Sequence, residues 1–308
     1  MSELTPISIE RPLEDIADAI GKSFETYGFG VITDHGIPHD LIERAYAMSR
    51  EFFALPTEVK QKYFIEGGGG ARGYTPFGKE RAKGAAVHDL KEFWHIGQML
   101  PPGDPLEPYM PPNIWPNEVE GFRETYEELY RAFEKAGKRV LSGIAIHLGL
   151  DRDWFDPTVE QGNSVMRLLH YPPVEDPVPG AIRAEAHGDI NTITLLLGAE
   201  EAGLQLLRRD GTWIDIAPPP GALVINIGDM LERLTNGQLP STLHRVINPV
   251  GEAAKRARYS MPFFLHFRPD FMIEPFENCE DPRNPGHRME PISAHDFLQL
   301  RLKEINLA

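Results

Sequence analysis

Residues 182–198 read Ile182-Arg183-Ala184-Glu185-Ala186-His187, then Gly188-Asp189-Ile190-Asn191, then Thr192-Ile193-Thr194-Leu195-Leu196-Leu197-Gly198. Two short runs separated by a Gly-Asp-Ile-Asn break have the pattern of two strands joined by a tight connection. The same rhythm continues on both sides. Further strand-like runs occupy 165–171, 204–208, 213–216, 222–227, 242–247 and 258–267, each closed by turn residues. Short strands at such close spacing predict a sandwich or barrel, of which a jelly roll is one kind. The fold class expected is therefore mainly β with flanking helices.

Upstream the periodicity changes. Leu13, Ile16, Ile20, Phe24 and Tyr27 recur at helical spacing after Pro12, Gly28 ends the run, and Phe29-Gly30-Val31-Ile32 reads as a buried strand. Residues 40–53 and 57–63 suggest two more helices, and 117–149 carry the longest apolar stripe, through Leu129, Phe133, Ala136, Val140, Ile144 and Leu148. Between Gly67 and Pro116 no period is sustained, apart from a possible short strand at Leu90–Ile96. A loop of that length inside a domain is commonly functional. A last helix is expected over 294–305, with Ser293 and Asp296 as a capping box. The organisation anticipated is a helical N-terminal region over 1–116 and a β core with buttressing helices over 117–308, together forming one unit.

With 308 residues, 41% of them apolar, the chain can bury a substantial core. No long apolar run and no basic-apolar leader is present, so neither a membrane span nor a secretory signal is expected. One cysteine, Cys279, fits a reducing compartment, and the cytoplasm is the expected location. A formal charge of −15 disfavours nucleic acid and favours a small-molecule substrate.

With a single cysteine, any metal must be held by imidazole and carboxylate. His187 and Asp189 are two residues apart on a strand edge, so both can point to one side, and His244 lies in a later strand candidate. Two imidazoles and one carboxylate can hold iron(II) on one face while the opposite face stays open to substrate and dioxygen. Arg258 and Ser260 share a strand face by the same spacing. A guanidinium and a hydroxyl opposite such an ion suit a co-substrate with a chelating end and a distal carboxylate, which is the shape of 2-oxoglutarate. Iron(II) and Arg258 would balance Asp189 and the two carboxylates of that molecule, leaving the loaded site formally neutral.

These residues sit among longer matches. The chain resembles the isopenicillin N synthase-like family of iron(II)/2-oxoglutarate-dependent oxygenases. The N-terminal likeness lies in Tyr27-Gly28-Phe29-Gly30-Val31-Ile32-Thr33-Asp34-His35-Gly36-Ile37-Pro38 and in Phe52-Phe53-Ala54-Leu55-Pro56 with Lys60. The catalytic likeness lies in His170-Tyr171-Pro172-Pro173, Ala186-His187-Gly188-Asp189, Leu204-Gln205-Leu206, Leu223-Val224-Ile225-Asn226-Ile227-Gly228-Asp229, Thr235-Asn236-Gly237, His244-Arg245-Val246 and Arg258-Tyr259-Ser260-Met261-Pro262-Phe263-Phe264. The resemblance implies a double-stranded β-helix, or jelly roll. It also implies iron ligation by His187, Asp189 and His244, and capture of the distal carboxylate by Arg258 and Ser260. Tyr171 matches a tyrosine beside the co-substrate, and Arg167 a position near its keto-acid end. Leu169 departs from the pattern, since many relatives carry asparagine there.

The implied reaction consumes dioxygen and 2-oxoglutarate, releases succinate and carbon dioxide, and hydroxylates, desaturates or cyclises a small molecule. Residues 67–97 are expected to form a lid whose Arg72, Tyr74, Lys91 and Trp94, with Phe264 on the core, choose the substrate. His35, Asp229 and Asn236 read as turn residues, and His266 as an ordinary core or surface histidine. Three other readings stay open on the residues alone. They are an iron oxidase in which Arg258 and Ser260 hold the substrate's own carboxylate, a zinc hydrolase or isomerase on a similar barrel, and a non-catalytic jelly-roll binding module.

Overall fold

The computed structural model describes residues 4–79, 91–173, 183–197, 203–248 and 251–304. In chain order these form β1 (Pro6–Ser8), α1 (Leu13–Tyr27), β2 (Phe29–Thr33), α2 (His39–Phe53), α3 (Thr57–Lys60), β3 (Gly73–Thr75), β4 (Glu92–Gly97), α4 (Phe122–His147) and α5 (Asp156–Val159). The β-rich part follows as β5 (Val165–Tyr171), β6 (Ala184–His187), β7 (Ile193–Leu197), β8 (Leu204–Leu207), β9 (Trp213–Asp215) and β10 (Leu223–Ile227). After α6 (Asp229–Leu234) come β11 (His244–Val246), β12 (Arg258–Ser260), β13 (Pro262–Leu265) and, last, α7 (Ala294–Glu304).

Helix α1 forms because its apolar residues fall on one stripe, and Leu13, Ile16, Ile20 and Phe24 are all buried. It stops at Gly28, whose φ of 67° is left-handed. A Cβ there would also lie 2.3 Å from the Thr242 hydroxyl, so only glycine fits both the turn and the approach of the 242 segment. The capping box of α7 is present, with the Asp296 amide donating to Ser293 Oγ at 3.0 Å and the Ser293 hydroxyl to the Asp296 carboxylate at 2.7 Å. Ile305, at the end of the expected helix, lies outside the described residues.

Two sheets make a jelly-roll core. The larger has the order β1-β2-β10-β7-β13-β5-β4-β3, with β12 also pairing β5, and the smaller has the order β6-β11-β8-β9. The expected 258–267 strand divides at Met261, yet Arg258↔Tyr171, Ser260↔Leu169 and Phe264↔Val165 continue one register along β5. The 67–116 segment is more ordered than its sequence suggests. β3 pairs β4, and β4 pairs β5 along its whole length, so strands from both sides of residue 116 share one sheet. Residues 80–90, the middle of the expected lid, lie outside the described residues.

Alternation along each strand divides the large sheet into two faces. Met166, Leu168, Leu195, Phe263 and Leu265 face the helices, where Phe263 stacks on Phe133 at 5.3 Å and meets Tyr130 edge-on at 4.9 Å. Leu169 and Tyr171 with Phe93, and further along Val31, Phe29 and Val224 with Leu206 of the small sheet, form the opposite side. The space between the sheets is therefore walled by odd-numbered residues of β5 and β4 and by even-numbered residues of β12 and β13.

Phe263 is fully buried between α4 and the sheet. Phe263→Ala should destabilise the fold by about 3–5 kcal/mol through the lost burial and the cavity left behind. A lowered urea midpoint at unchanged slope would report it, and a loss under about 1 kcal/mol would mean that α4 closes over the gap.

Candidate active site

His187 ends β6 and His244 begins β11, and the two are direct cross-strand partners with ring centroids 4.5 Å apart. Asp189 follows in the connection that crosses from the small sheet to β7 of the large one. Its Oδ1 lies 3.9 Å from Nε2 of each imidazole. One ligand atom from each of the three residues falls within 4.8 Å of the others, the only such group of histidine, cysteine and acidic side chains among the described residues.

Each donor is turned by a neighbour. His187 Nδ1–H donates to the Glu185 carbonyl at 2.6 Å, and His244 Nδ1–H to the Thr242 carbonyl at 3.2 Å, so both rings present an Nε2 lone pair. Asp189 Oδ2 accepts from Asn226 Nδ2 at 2.8 Å and from the Thr194 hydroxyl. Thr194 and Asn226 are themselves paired across β7 and β10. One oxygen of Asp189 is thus committed to the large sheet, and the other is left for the imidazole side. Sequence reasoning missed Thr194 and Asn226, although each is a polar residue inside an apolar strand run, the one signal that marks them.

Electrostatics set the protonation states. Burial pushes the Asp189 carboxyl up, but His244, His187 and the bonds from Thr194 and Asn226 outweigh it and hold the group below the usual carboxylate range. His187 is pushed down to about 4, first by desolvation and then by His244, against the pull of Asp189. Its side chain is 45% exposed, whereas Asp189 and His244 are buried, so the arrangement opens on the His187 side. Phe29 packs edge-on against His244 at 5.5 Å. A carboxylate with two imidazoles, supported by this outer ring of bonds, is a donor set suited to a divalent iron site with open positions.

Across the gap, Arg258 and Ser260 are 5% and 2% exposed, and Arg258 lies over the Tyr171 ring at 5.2 Å. Its Nε is buried with no hydrogen-bond partner. An unmatched donor at this depth costs free energy until an acceptor arrives, which fits a carboxylate-bearing small molecule. Arg183, absent from the sequence expectations, is fully buried, with its guanidinium 5.8 Å from the Tyr171 ring centroid.

The remaining expected residues separate by strand face. Arg167 and Phe264 are on the pocket side, with the Arg167 guanidinium 4.4 Å from the Phe93 ring and 5.5 Å from that of Phe264. Arg167 Nε donates to His95 Nε2 at 2.5 Å, and His95 Nδ1–H to the Gly70 carbonyl at 2.6 Å. Lys91 stands just before β4 and acts on His187 electrostatically. Tyr74 and Trp94 depart from the expectation. They face the helices, where Trp94 is fully buried against Phe52 at 4.8 Å and Tyr74 hydrogen-bonds Glu92. Arg72 is also buried, donating to the Pro111 and Ala71 carbonyls. The reason is alternation: once 92–97 is a strand, residues 91, 93 and 95 face the pocket and 92, 94 and 96 face away. His266, on the Ser260 and Phe264 face, is 8% exposed with a buried, unpartnered Nδ1, and burial pushes it down to about 4.

Two measurements test this account. Asn226→Ala removes a bond that aims Asp189 and should weaken divalent metal binding by about 10–100-fold in a competition titration; unchanged affinity would mean that Thr194 alone suffices. His266 stays neutral in the folded chain while an unfolded histidine takes a proton near 6.5, so folding stability should fall as pH drops from about 6.5 toward about 4. His266→Leu should reduce that slope in denaturant titrations of the metal-free protein, leaving the share that belongs to His187, and an identical slope would assign it to other groups.

Comparison with known proteins agrees with this geometry. Residues 3–118 match the family described as the non-haem dioxygenase in morphine synthesis N-terminal region, and residues 162–267 match the 2OG-Fe(II) oxygenase superfamily. The chain is 35% identical over 305 residues to a 2-oxoglutarate-Fe(II) type oxidoreductase of Emericella nidulans, covering 94% of this chain and 84% of that one. Among solved structures, a 2OG-Fe(II) oxygenase family protein from Caulobacter crescentus superposes with a TM-score of 0.92 at 52% identity, over 99% of this chain and 100% of that one. A full-length Neurospora crassa protein solved in complex with alpha-KG superposes with a TM-score of 0.84 at 29% identity, over 97% and 95% of the two chains.

Proposed function

This chain belongs to the 2OG-Fe(II) oxygenase superfamily, and we propose that within it His187, Asp189 and His244 hold the iron(II) while Arg258 and Ser260 hold the distal carboxylate of 2-oxoglutarate. The enzyme is a non-haem iron(II)- and 2-oxoglutarate-dependent oxygenase acting on a small molecule. When bound, iron and 2-oxoglutarate supply the oxidative chemistry, with succinate and carbon dioxide as co-products. The observation that carries the residue assignment is the divided carboxylate of Asp189, with one oxygen held by Asn226 and Thr194 and the other 3.9 Å from both imidazole Nε2 atoms.

The protein's own part is binding, orientation and exclusion of water. Arg258 meets a carboxylate in a buried setting where a charge-assisted bond is strong, and Ser260 adds a second donor from the same face. Phe93, Leu169 and Tyr171 line that end with apolar surface and keep it dry. Leu169 stands opposite Ser260, so the co-substrate pocket is less polar here than an asparagine would make it. On the open side, Lys91, Arg167 and Phe264 form the wall that a prime substrate would meet, with hydroxylation, desaturation or ring closure depending on its shape. Tyr171 backs Arg258 and closes the co-substrate end.

The two regions divided near residue 116 act as one unit in this reading, because the N-terminal strands complete the sheet that carries Arg258. The formal net charge of −15 argues against nucleic-acid partners. No helix among the described residues is long and apolar enough to cross a membrane, and the single cysteine supports a cytoplasmic setting.

Adding 2-oxoglutarate to the iron(II) protein without oxygen should produce the visible charge-transfer band of a chelated keto acid. The band should vanish in His244→Ala and require much higher 2-oxoglutarate in Arg258→Ala. Iron binding with no band in the wild type would reassign Arg258 and Ser260 to a substrate carboxylate, as in an oxidase.

A further inference from the structure

The helix-facing side of the large sheet holds a buried polar cluster that the chemistry above does not use. Glu92 of β4, 1% exposed, accepts from Lys60 Nζ at 2.9 and 2.8 Å, from the Tyr74 hydroxyl at 2.5 Å and from His170 Nδ1–H at 2.7 Å. Lys60 also donates to the Phe53 carbonyl at 3.0 Å, at the end of α2. The carboxylate is saturated, and it stays ionised because these bonds outweigh the burial that opposes it.

The placement of this cluster matters. Glu92 pairs with His170, and His170 with Tyr259, so the three form one row across β4, β5 and β12. The His170 ring stacks on Tyr259, at 4.9 Å and 18°, and on Phe53, at 5.4 Å and 27°, and those two rings also meet each other at 6.4 Å. Tyr259 separates Arg258 from Ser260. Phe93↔Leu169↔Ser260 and Tyr171↔Arg258 are the adjacent rows, pointing to the opposite face. The row anchored by Glu92 is therefore the direct backing of the two residues that face the co-substrate.

Strand β12 needs such backing. It is three residues long and, among the described residues, pairs with β5, whereas β13 is held on both sides by β5 and β7. Its register continues that of β13 along β5, so what the Glu92 row adds is the placement of Tyr259, and with it the direction in which Arg258 and Ser260 on either side of it project. The stack holds Tyr259 in place only while His170 is fixed, and Glu92 fixes it.

We propose that Glu92 is a positioning residue for 2-oxoglutarate, holding β12 through His170 and Tyr259 so that Arg258 and Ser260 meet the distal carboxylate together. The proposal rests on the assignment of those two residues given above. It identifies Lys60, Tyr74 and His170 as supports of the same device, and it places no group of the cluster on the substrate itself.

The test compares two keto acids in anaerobic titrations of the iron(II) protein, followed by the visible charge-transfer band. 2-Oxoglutarate uses both the chelate and the distal contact, whereas 2-oxobutanoate has the same chelating end and no distal carboxylate. Glu92→Gln leaves the shape but removes the charge and replaces one of the two acceptor oxygens with an amide donor, which then faces Lys60 and either His170 or Tyr74. It should weaken 2-oxoglutarate by about tenfold, the lower end of what outer supports of a binding group are worth. Its affinity for 2-oxobutanoate should stay within about twofold of wild type, since the chelating side is untouched. His170→Phe keeps the stack and loses the bond to Glu92, so it should weaken 2-oxoglutarate in the same selective way, and it decides the matter if Glu92→Gln does not fold. An unchanged 2-oxoglutarate affinity in a folded variant, or equal weakening of both keto acids, would overturn the proposal. A wild-type protein that binds iron and gives a band with neither keto acid would overturn the 2-oxoglutarate assignment itself.

Discussion

A buried carboxylate needs a partner on every side, and Asp189 finds partners on two different sheets. Its Oδ2 is bound by Asn226 and Thr194 on the large sheet, and its Oδ1 faces the imidazoles of the small one. The connection that carries it is also the crossing from β6 to β7. The distance between the sheets, the direction of the carboxylate and the spacing of the two histidines are consequently one constraint. Groups around it follow the same logic: the Asp229 amide donates to the Asp189 carbonyl at 2.8 Å, and Asp229 is in turn paired with Arg301 of the last helix at 3.0 Å.

The charge distribution runs against the chain as a whole. Arg183 and Arg258 are buried around Tyr171, and Arg167 and Lys91 stand nearby, in a protein whose formal charge is −15. Net charge describes how such a molecule behaves toward large polyelectrolytes, while a pocket is governed by the few groups that line it and by the absence of water. Behind the same sheet, Glu92 and Lys60 form a neutral pair, so the cations in front are not cancelled from the rear.

Much of the site was legible because its parts are local. His187 and Asp189 sit two residues apart, as do Arg258 and Ser260, and alternation on an extended chain puts each pair on one side. The strand runs, the Gly28 stop and the Ser293–Asp296 cap were legible for the same reason, since each depends on residues within a turn or a strand of one another. The segment from Gly67 to Pro116 was legible only at its Leu90–Ile96 strand, which is β4. β3 is only Gly-Tyr-Thr, separated from β4 by a stretch with no period, and it becomes a strand because β4, itself laid on the edge of β5, offers it a pairing edge.

The sequence by itself determined the strand-rich core, the identity of the metal-competent residues and the placing of Arg258 and Ser260 on one strand face, because period and spacing are properties of neighbouring residues. Tertiary structure alone decided which oxygen of Asp189 is free, that Thr194 and Asn226 aim it, and that Tyr74 and Trp94 belong to the helical core while Lys91 and Arg167 face the pocket. It also placed Glu92, His170 and Tyr259 in one row, although they lie far apart in the chain. Those facts depend on cross-strand register, and register is set by packing between distant segments that no local pattern encodes.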